Sequence, residues 1–248
     1  MIADPIFEKA LVTGASRGIG AAVVRSLCSR GLEVHALARN DDDLQSVAAE
    51  TGAQPHKVDV RDVDALRSAI GDLEFDVVVN NAGVLPRVEP FFEHHGDAID
   101  LMVDVNLRAA LQVTSLVLPG MIERDRGHIF YLGSIAGRHP TPNLTIYSAT
   151  KAALHAFAEG LRADLLGSNI RVTVLMPGRV ETRLYDGALG GHDAAEQTLY
   201  RDFDAVQPHD ISAVVNTALD MPPHVDLTTI EVMPTKQVYG GISIAKNI

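Results

Sequence analysis

Short apolar runs rich in β-branched residues alternate along the chain with longer stretches of helical periodicity. The runs VVVN and VTVLM, at residues 77–80 and 172–176, are apolar at successive positions. That pattern is typical of strands covered on both faces, as in a parallel sheet. Strands are predicted at residues 10–13, 33–38, 54–58, 76–80, 128–132, 171–176 and 229–233. Helices are predicted at residues 19–30, 42–51, 63–73, 97–121, 145–166 and 210–221.

This alternation of strands and helices predicts an α/β fold. Consecutive parallel strands require right-handed crossovers, so helices are expected on both faces of the sheet, in a three-layer α/β/α sandwich. The seven predicted strands give a seven-stranded parallel sheet. No linker, low-complexity tract or internal repeat interrupts the pattern, and residues 1–248 are therefore interpreted as a single domain.

Residues 179–207 depart from this regularity. They follow a strand, contain Gly187, Gly190 and Gly191, and mix helical with loop signals. A long irregular segment at the carboxyl end of a strand is a common place for a substrate lid. We expect such a lid at about residues 183–207.

Composition narrows the functional classes. The 248 residues are 46% hydrophobic, enough for a sizeable core, and carry a formal net charge of −11. A chain this acidic is expected to have low affinity for nucleic acid and for anionic membranes. No apolar run is expected to be long enough to span a bilayer, and residues 1–8 lack the basic-to-apolar pattern of a signal peptide. The one cysteine, Cys28, has no partner for an internal disulfide, so a cytoplasmic location is expected.

The expected partner is a small molecule rather than a metal ion or a nucleic acid. His94, His95, His192 and His209 do not have the spacing of metal ligands with suitable carboxylates, so no catalytic metal is predicted. Basic residues do not cluster with aromatic residues, and the chain has no nucleic-acid-binding motif.

The first predicted strand runs into a glycine-rich turn, TGASRGIG, at residues 13–20, and a helix follows. Such a turn lets the backbone approach a pyrophosphate, to which the helix N-terminus offers N–H groups and a partial positive charge. The alternative is a turn that merely joins strand to helix, because a glycine pattern alone is weak evidence. The candidate cofactor-binding residues of this turn are Gly14, Ser16, Arg17, Gly18, Ile19 and Gly20.

Further motifs follow in order along the chain. NNAG occupies residues 80–83 after the fourth strand, Asn106 lies within VNL, and Ser134 lies within GSIAG after the fifth strand. YSATK at residues 147–151 gives a tyrosine and a lysine four positions apart, and PGRVET occupies residues 177–182. Together with the glycine turn, this series resembles the short-chain dehydrogenase/reductase family.

The resemblance covers about residues 10–182 and carries several expectations. It implies a Rossmann-like fold and an oxidoreductase that moves a hydride between a nicotinamide cofactor and an alcohol/carbonyl pair. It also implies a homodimer or homotetramer. The sequence is less consistent with three other classes: a non-catalytic dinucleotide sensor, which often lacks the tyrosine or lysine; an epimerase or dehydratase of the extended branch, which has a larger C-terminal region; and an interaction protein, for which the sequence has no positive feature.

Tyr147 and Lys151 are the candidate acid/base pair. Four residues apart on a helix, they share one face, and a nearby ammonium is expected to lower the tyrosine pKa from about 10. The alternative is an ordinary surface pair. The resemblance implies that Lys151 also holds the cofactor ribose, that Ser134 orients the substrate carbonyl, and that Asn106 keeps a water near the lysine for proton exchange.

The resemblance implies further cofactor contacts along the carboxyl edge of the sheet. Asp59, with Val60 beside it, resembles the family's adenine contact, although a helix-cap aspartate is an equally weighted alternative. Thr182 is expected at the nicotinamide carboxamide. The full set of further cofactor-binding candidates is Asp59, Val60, Asn81, Ala82, Gly83, Tyr147, Lys151, Pro177, Gly178, Val180 and Thr182.

The end of the second strand favours NADP(H) over NAD(H). An acidic residue at this place binds the ribose 2′-hydroxyl, whereas a basic residue accommodates a 2′-phosphate. Here Ala38 occupies the position of the acidic residue, and Arg39 follows it. Arg17 of the glycine turn is expected to reach the same 2′-phosphate. Guanidinium groups bind phosphate through paired donors. The alternative is that Arg39 is a solvated residue paired with the acids at residues 41–43, which would otherwise cap the next helix.

The substrate is less constrained by the sequence. Pocket residues are expected from residues 85–87, 135–144 and 185–203 and from Arg179. Arg138, Arg179 and Arg183 are candidates for gripping a carboxylate or sulfonate, or else surface or subunit-contact residues. Residues 231–237 (EVMPTKQ) resemble a subgroup that includes dehydrogenases of small 3-hydroxy acids and serine-like compounds. A small hydroxy acid, or its keto or aldehyde partner, is therefore expected, with a bulkier ketone as the alternative.

Overall fold

One fully parallel sheet forms the centre of the computed structural model, which describes residues 7–239. Its seven strands agree with the predicted ones to within two residues at each end. The ends of the predicted domain, residues 1–6 and 240–248, lie outside the described residues. The strands are β1 (Lys9–Thr13), β2 (Glu33–Ala38), β3 (Gln54–Lys57), β4 (Val77–Asn80), β5 (Gly127–Leu132), β6 (Ile170–Pro177) and β7 (Thr229–Val232).

The strand order across the sheet is β3-β2-β1-β4-β5-β6-β7. The chain moves outward in one direction from β1 to β3 and then starts again from β4 in the other direction. The loops after β1 and β4 therefore diverge at the carboxyl edge and leave a crevice between them, which is where open α/β sheets bind ligands. This is the predicted Rossmann-like arrangement.

Helices cover both faces of the sheet. Short 3₁₀ turns at Phe91–Glu93 and Arg183–Tyr185, and π turns at Asp104–Arg108 and Glu196–Tyr200, complete the helical structure of the described residues. The α-helices are α1 (Gly18–Ser29), α2 (Asp41–Thr51), α3 (Val63–Ile70), α4 (Gly96–Val103), α5 (Ala109–Glu123), α6 (Ile135–Arg138), α7 (Thr145–Asp164), α8 (Asp186–Leu189), α9 (His192–Ala195) and α10 (Pro208–Leu219).

The three layers follow from the period-two alternation of β1. Ala10 and Val12 point to one face and pack with Val23 of α1 and Val215 of α10. Leu11 points to the other face and packs in a second cluster supplied by α3, α5 and α7. Because both faces of each central strand are covered, successive residues are apolar, which confirms the interpretation of VVVN and VTVLM.

The long helix predicted at residues 97–121 is one continuous run, Gly96–Glu123, interrupted by the π turn. By length and composition this 28-residue run is able to cross a bilayer, which corrects the expectation that no apolar run is long enough. Of its most apolar stretch, 44% is buried inside the fold. Val113, Val117 and Met121 pack against the sheet, so the run serves here as a core helix.

Residues 183–207 are more regular than the sequence suggested. They contain a 3₁₀ turn, α8, α9 and a π turn in succession, and Val206 then forms an isolated parallel bridge with Val180. Two glycines separate α8 from α9: Gly190 is left-handed at φ 85° and Gly191 has φ 127°. Glycine adopts both conformations without a Cβ penalty, so the sequence turns sharply here and continues as helix.

Candidate active site

A cleft of about 540 Å³ opens at the carboxyl edge of the sheet, at the crevice between β1 and β4. Its walls are the ends of β2, β5 and β6 and the loops after β1, β3, β4, β5 and β6. The predicted site residues that line it are Gly14, Ser16, Arg17, Gly18, Ile19, Arg39, Val60, Asn81, Ala82, Gly83, Ser134, Tyr147, Lys151, Pro177, Gly178, Val180 and Thr182. Three predicted residues, Gly20, Asp59 and Asn106, lie behind the walls instead.

The glycine turn is held against the loop after β4. Gly14 and Gly18 have φ of 64° and 55°, in the left-handed region that favours glycine. Asn81 Nδ2 donates to the carbonyl oxygens of Thr13 and Gly14, at 2.9 and 3.1 Å. The Asn81 amide also donates to Thr13 Oγ1 at 3.0 Å. A Cβ on Gly20 would overlap the Gly14 carbonyl oxygen, so Gly20 serves close packing of the turn.

The N-terminus of α1 is open to a ligand. Arg17 occupies the N-cap position in extended conformation, and no side chain caps the helix there. The first turn of α1 contains no acidic residue. Free N–H groups and the helix dipole together favour an anion at this end, and the turn lines the cleft.

Arg39 lines the cleft at the end of β2 and is exposed to solvent. Two of its alternative partners are otherwise engaged: Asp43 contacts Asn40, whose Oδ1 caps α2, and Asp41 lies 3.6 Å from Lys57. Among residues 7–239 no carboxylate forms an ion pair with Arg39 or with Arg17. Both guanidinium groups are therefore available to an anion in the cleft.

Asp59 does not cap a helix, and its contact with the adenine stays a prediction. Its carboxylate accepts from the Arg61 guanidinium at 2.7 Å and from the Arg61 backbone N–H at 3.0 Å. These bonds, with a smaller contribution from the charge of Arg39, hold the pKa of Asp59 below its usual range. The cap of α3 is Asp62, which accepts from Ala65 N at 3.0 Å. Val58 and Val60, rather than the Asp59 carboxylate, line the cleft here.

Tyr147 and Lys151 are not an ordinary surface pair. Both lie on α7 with side chains that are buried, and both line the cleft. Lys151 Nζ donates to the Leu132 carbonyl oxygen at 2.6 Å and lies 5.7 Å from the centroid of the Tyr147 ring. The i, i+4 spacing thus delivers a phenol and an amine to one wall of the cleft, as predicted.

Burial changes the expected ionisation of this pair. Burial and the neighbouring Tyr185 raise the pKa of Tyr147, and a hydrogen bond with Ser134 only partly opposes them. The expectation of a lowered tyrosine pKa is therefore wrong for this structure. Burial also lowers the pKa of Lys151 to about 8, and its Nζ is directed to Leu132. Desolvation of both groups outweighs the effect of the lysine charge on the phenol.

Ser134 has two hydrogen-bonding roles. Its Oγ accepts from Ala136 N at 3.1 Å and so caps α6, and the same side chain lies beside the Tyr147 phenol, whose pKa it lowers. Its backbone N–H donates to His155 Nε2 at 3.4 Å. The cap fixes the serine side chain at the start of a helix, where it lies beside the phenol.

Asn106 lies in the π turn and is buried. Its Oδ1 accepts from Val84 N at 2.7 Å, and its Nδ2 donates to the Val84 carbonyl oxygen at 3.0 Å. A Cβ on Gly83 would lie 3.5 Å from Asn106 Oδ1 and 3.7 Å from Lys151 Nζ. The amide therefore fixes the cleft wall beside the lysine, and its role in holding a water stays a prediction.

The three candidate arginines are in different environments. Arg138 lies 2.5 Å from Glu231, and Arg179 donates to the Leu199 carbonyl oxygen at 3.1 Å. Arg183 is exposed and lines the cleft, with no ion pair to a carboxylate in the described part of the chain. Of the three, only Arg183 offers an unpaired guanidinium to the cleft.

Several cleft residues were not predicted. Leu132 and Gly133 directly precede Ser134, and Val84 directly follows Gly83, so extending each motif by one or two residues would have found them. Val105 gives no local signal, because its position depends on the π turn. The lining residues outside both the predicted site residues and the predicted lid are Asn40, Val58, Val84, Val105, Leu132 and Gly133.

Comparisons with known proteins agree with this geometry. The family model described as short chain dehydrogenase matches residues 8–189. The chain is 47% identical over 240 residues to an uncharacterized short-chain type dehydrogenase/reductase of Sinorhizobium fredii, covering 97% of this chain and 96% of that protein. It is 35% identical over 242 residues to an NADP-dependent 3-hydroxy acid dehydrogenase of Escherichia coli K12, covering 94% and 98%.

Solved structures give the same result. The closed form of a serine dehydrogenase complexed with NADP+ superposes with a TM-score of 0.90 at 34% identity, covering 96% of this chain and 100% of that one. A metagenomic short-chain oxidoreductase in complex with NADP superposes with a TM-score of 0.76 at 30% identity, covering 93% and 98%.

Proposed function

The chain belongs to the short-chain dehydrogenase/reductase family, and on this premise we propose that it is an NADP(H)-dependent oxidoreductase that interconverts an alcohol and a carbonyl by hydride transfer. One observation carries the proposal: Tyr147 and Lys151 are buried side by side in the wall of a cleft whose other end holds two arginines that form no ion pair within residues 7–239. The 3-hydroxy acid relative and the serine dehydrogenase structure carry NADP in their names, which supports the choice of cofactor.

The cleft residues fit a dinucleotide phosphate. Gly14 and Gly18 allow close backbone approach, and the uncapped α1 N-terminus suits the pyrophosphate. Arg17 and Arg39 suit the additional 2′-phosphate, because paired guanidinium donors match its oxygens. When bound, the nicotinamide supplies or accepts the hydride.

In the proposed mechanism the chain's own residues orient the substrate and move the proton. With substrate bound, the adjacent hydroxyls of Ser134 and Tyr147 each donate their one proton to the substrate carbonyl oxygen. Tyr147 protonates that oxygen during reduction, and its raised pKa keeps it protonated for this role at neutral pH. Lys151 stands next to the phenol and reloads it, while Asn106 holds the adjacent wall through Val84.

The acid/base role of Tyr147 is tested by following nicotinamide absorbance with NADPH and, separately, NADH against a panel of small carbonyls and hydroxy acids. We expect faster turnover with NADPH. Tyr147→Phe should lower kcat by about a thousandfold and leave the Kd for NADPH unchanged. Full activity of this variant would overturn the mechanism, whereas preference for NADH would overturn only the arginine assignment.

We further propose that the substrate is a small hydroxy acid, or its keto or aldehyde partner, and that Arg183 binds its carboxylate. The names of the 3-hydroxy acid dehydrogenase and of the serine dehydrogenase support this class. Residues 183–203 would cover the substrate. Arg179 ties this segment to the cleft wall through Leu199, and Tyr200 Oη does so by donating to the Val180 carbonyl oxygen at 3.0 Å.

Two arginine variants separate the candidates for carboxylate binding. Arg183→Met should raise KM for the acid by about ten- to a hundredfold, because it removes a charge-assisted hydrogen bond. Arg138→Met, which breaks the ion pair with Glu231 outside the cleft lining, is the matched control and should leave KM nearly unchanged. The reverse result would assign the carboxylate to Arg138. A homodimer or homotetramer and a cytoplasmic location stay predictions.

A further inference from the structure

His155 lies on the same face of α7 as the proposed acid/base pair. It follows Lys151 by four residues and Tyr147 by eight, so the three side chains are stacked along one side of the helix. The imidazole reaches past Lys151 to the loop that carries Ser134, where its Nε2 accepts from the Ser134 backbone N–H at 3.4 Å.

The loop approaches the ring closely on both sides of Ser134. A Cβ on Gly133 would overlap His155 Nε2 and lie 2.9 Å from Cδ2. A Cβ on Gly137 would lie 2.7 Å from His155 Cε1. Both distances are shorter than a carbon side chain permits, so the ring fits only because glycine occupies both positions. The imidazole is thus clamped between the end of β5 and α6.

The surroundings keep the ring neutral. Burial lowers the pKa of His155 to about 4, and the charge of Lys151 acts in the same direction. Glu159 opposes them less strongly than Lys151 acts, and Arg138 adds a smaller lowering effect. A neutral imidazole has one acceptor nitrogen, and a protonated one has none. At neutral pH the ring is therefore able to accept from Ser134, with its own proton assigned to Nδ1.

We propose that His155 is a positioning residue that fixes Ser134, and through it the serine hydroxyl beside Tyr147. Ser134 is held at four points: its Oγ caps α6, its carbonyl oxygen accepts from Gly137 N at 3.0 Å, its side chain meets the phenol, and its N–H donates to His155. Of these, His155 is the only contact that ties the serine backbone to α7, the helix that carries Tyr147 and Lys151. The inference rests on the proposed function, because it acts through the serine of that mechanism.

The test is a double-mutant cycle between His155 and Ser134. His155→Leu removes the acceptor at similar volume and should lower kcat about tenfold, with little change in the Kd for NADPH. His155→Gln, whose Oε1 reaches the position of Nε2, should restore kcat to within about threefold of the wild type. In a Ser134→Ala background, His155→Leu should cause no further loss, because interacting residues give non-additive effects.

Two outcomes would overturn the proposal: wild-type kcat in His155→Leu, or an equal loss of kcat in both backgrounds. The latter would mean that His155 only supports the fold. If His155→Leu does not fold, His155→Asn replaces it, because its shorter side chain is polar but does not reach Ser134. The proposed function itself fails separately, through full activity of Ser134→Ala or Tyr147→Phe in the same assays.

Discussion

At the scale of single residues, Lys151 carries the largest electrostatic cost in the proposed site. Its side chain is 3% exposed, and burial lowers its pKa from 10.5 to about 8. At pH 7 the amine is still protonated, so the folded protein holds a desolvated charge. A shift of this size corresponds to about 3 kcal/mol of lost stability at neutral pH.

Lys151→Met should therefore stabilise the protein while abolishing turnover. The hydrogen bond to Leu132 is lost, at about 1 kcal/mol, so the net gain in free energy of unfolding is about 2 kcal/mol at pH 7. Between about pH 8 and 10.5 the unfolded chain binds more protons than the folded protein, so the stability of the wild type rises with pH in this range. The difference in free energy of unfolding between the variant and the wild type therefore becomes smaller. Urea unfolding of the wild type and the variant at pH 7 and at pH 9.5 measures this difference. Lower stability of the variant at pH 7 would contradict the desolvation argument.

At the scale of elements, the start of α1 depends on the absence of a side chain at Gly20. A Cβ there would overlap the Gly14 carbonyl oxygen and lie 2.6 Å from Asn81 Nδ2. The helix would have to move away from the turn, and the turn from the loop after β4. Asn81 joins the turn to the loop after β4, so this movement would also widen the proposed pyrophosphate site.

Gly20→Ala should lower the free energy of unfolding by about 1–3 kcal/mol through overpacking and should weaken NADPH binding. Gly160→Ala is the matched control, because it makes the same change in α7 where a Cβ would meet nothing within 4 Å. It should raise stability by about 0.5–1 kcal/mol through helix propensity and leave binding unchanged. Denaturant unfolding and NADPH fluorescence titration give both readouts. Equal effects of the two variants would show that steric overlap at Gly20 is not what matters.

Element positions were predictable because strand and helix periodicities are local. The family resemblance then assigned Ser134 and Thr182 to the site, and both line the same cleft at the carboxyl edge. The helix-cap alternative for Asp59 was wrong, because Asp62 caps α3 and the Asp59 carboxylate pairs with Arg61 instead. The π turn around Asn106 was also missed. It is stabilised by Val84, which is 22 residues away in sequence, and local periodicity carries no signal of such a contact.

At the scale of the whole molecule, the cleft draws on almost every loop at the carboxyl edge. Residues after β1 and at the end of β2 form one end, and residues from β5, α7 and the loop after β6 form the other. The two hydrophobic clusters lie on opposite faces of the sheet beneath it. A dinucleotide that fills this cleft would therefore contact both halves of the fold at once.

Cofactor binding should consequently raise the thermal stability of the entire domain. A ligand that binds only the folded state adds about 2.7 kcal/mol at a hundred times its Kd, or about 5–10 °C in Tm for a domain of this size. NADPH should produce this shift, and NADH at the same concentration a smaller one, because Arg17 and Arg39 have no 2′-phosphate to bind. Tyr147→Phe should retain the NADPH shift, since the phenol is assigned to proton transfer. Differential scanning fluorimetry with both cofactors measures it, and equal shifts would mean that the two arginines do not select the phosphate.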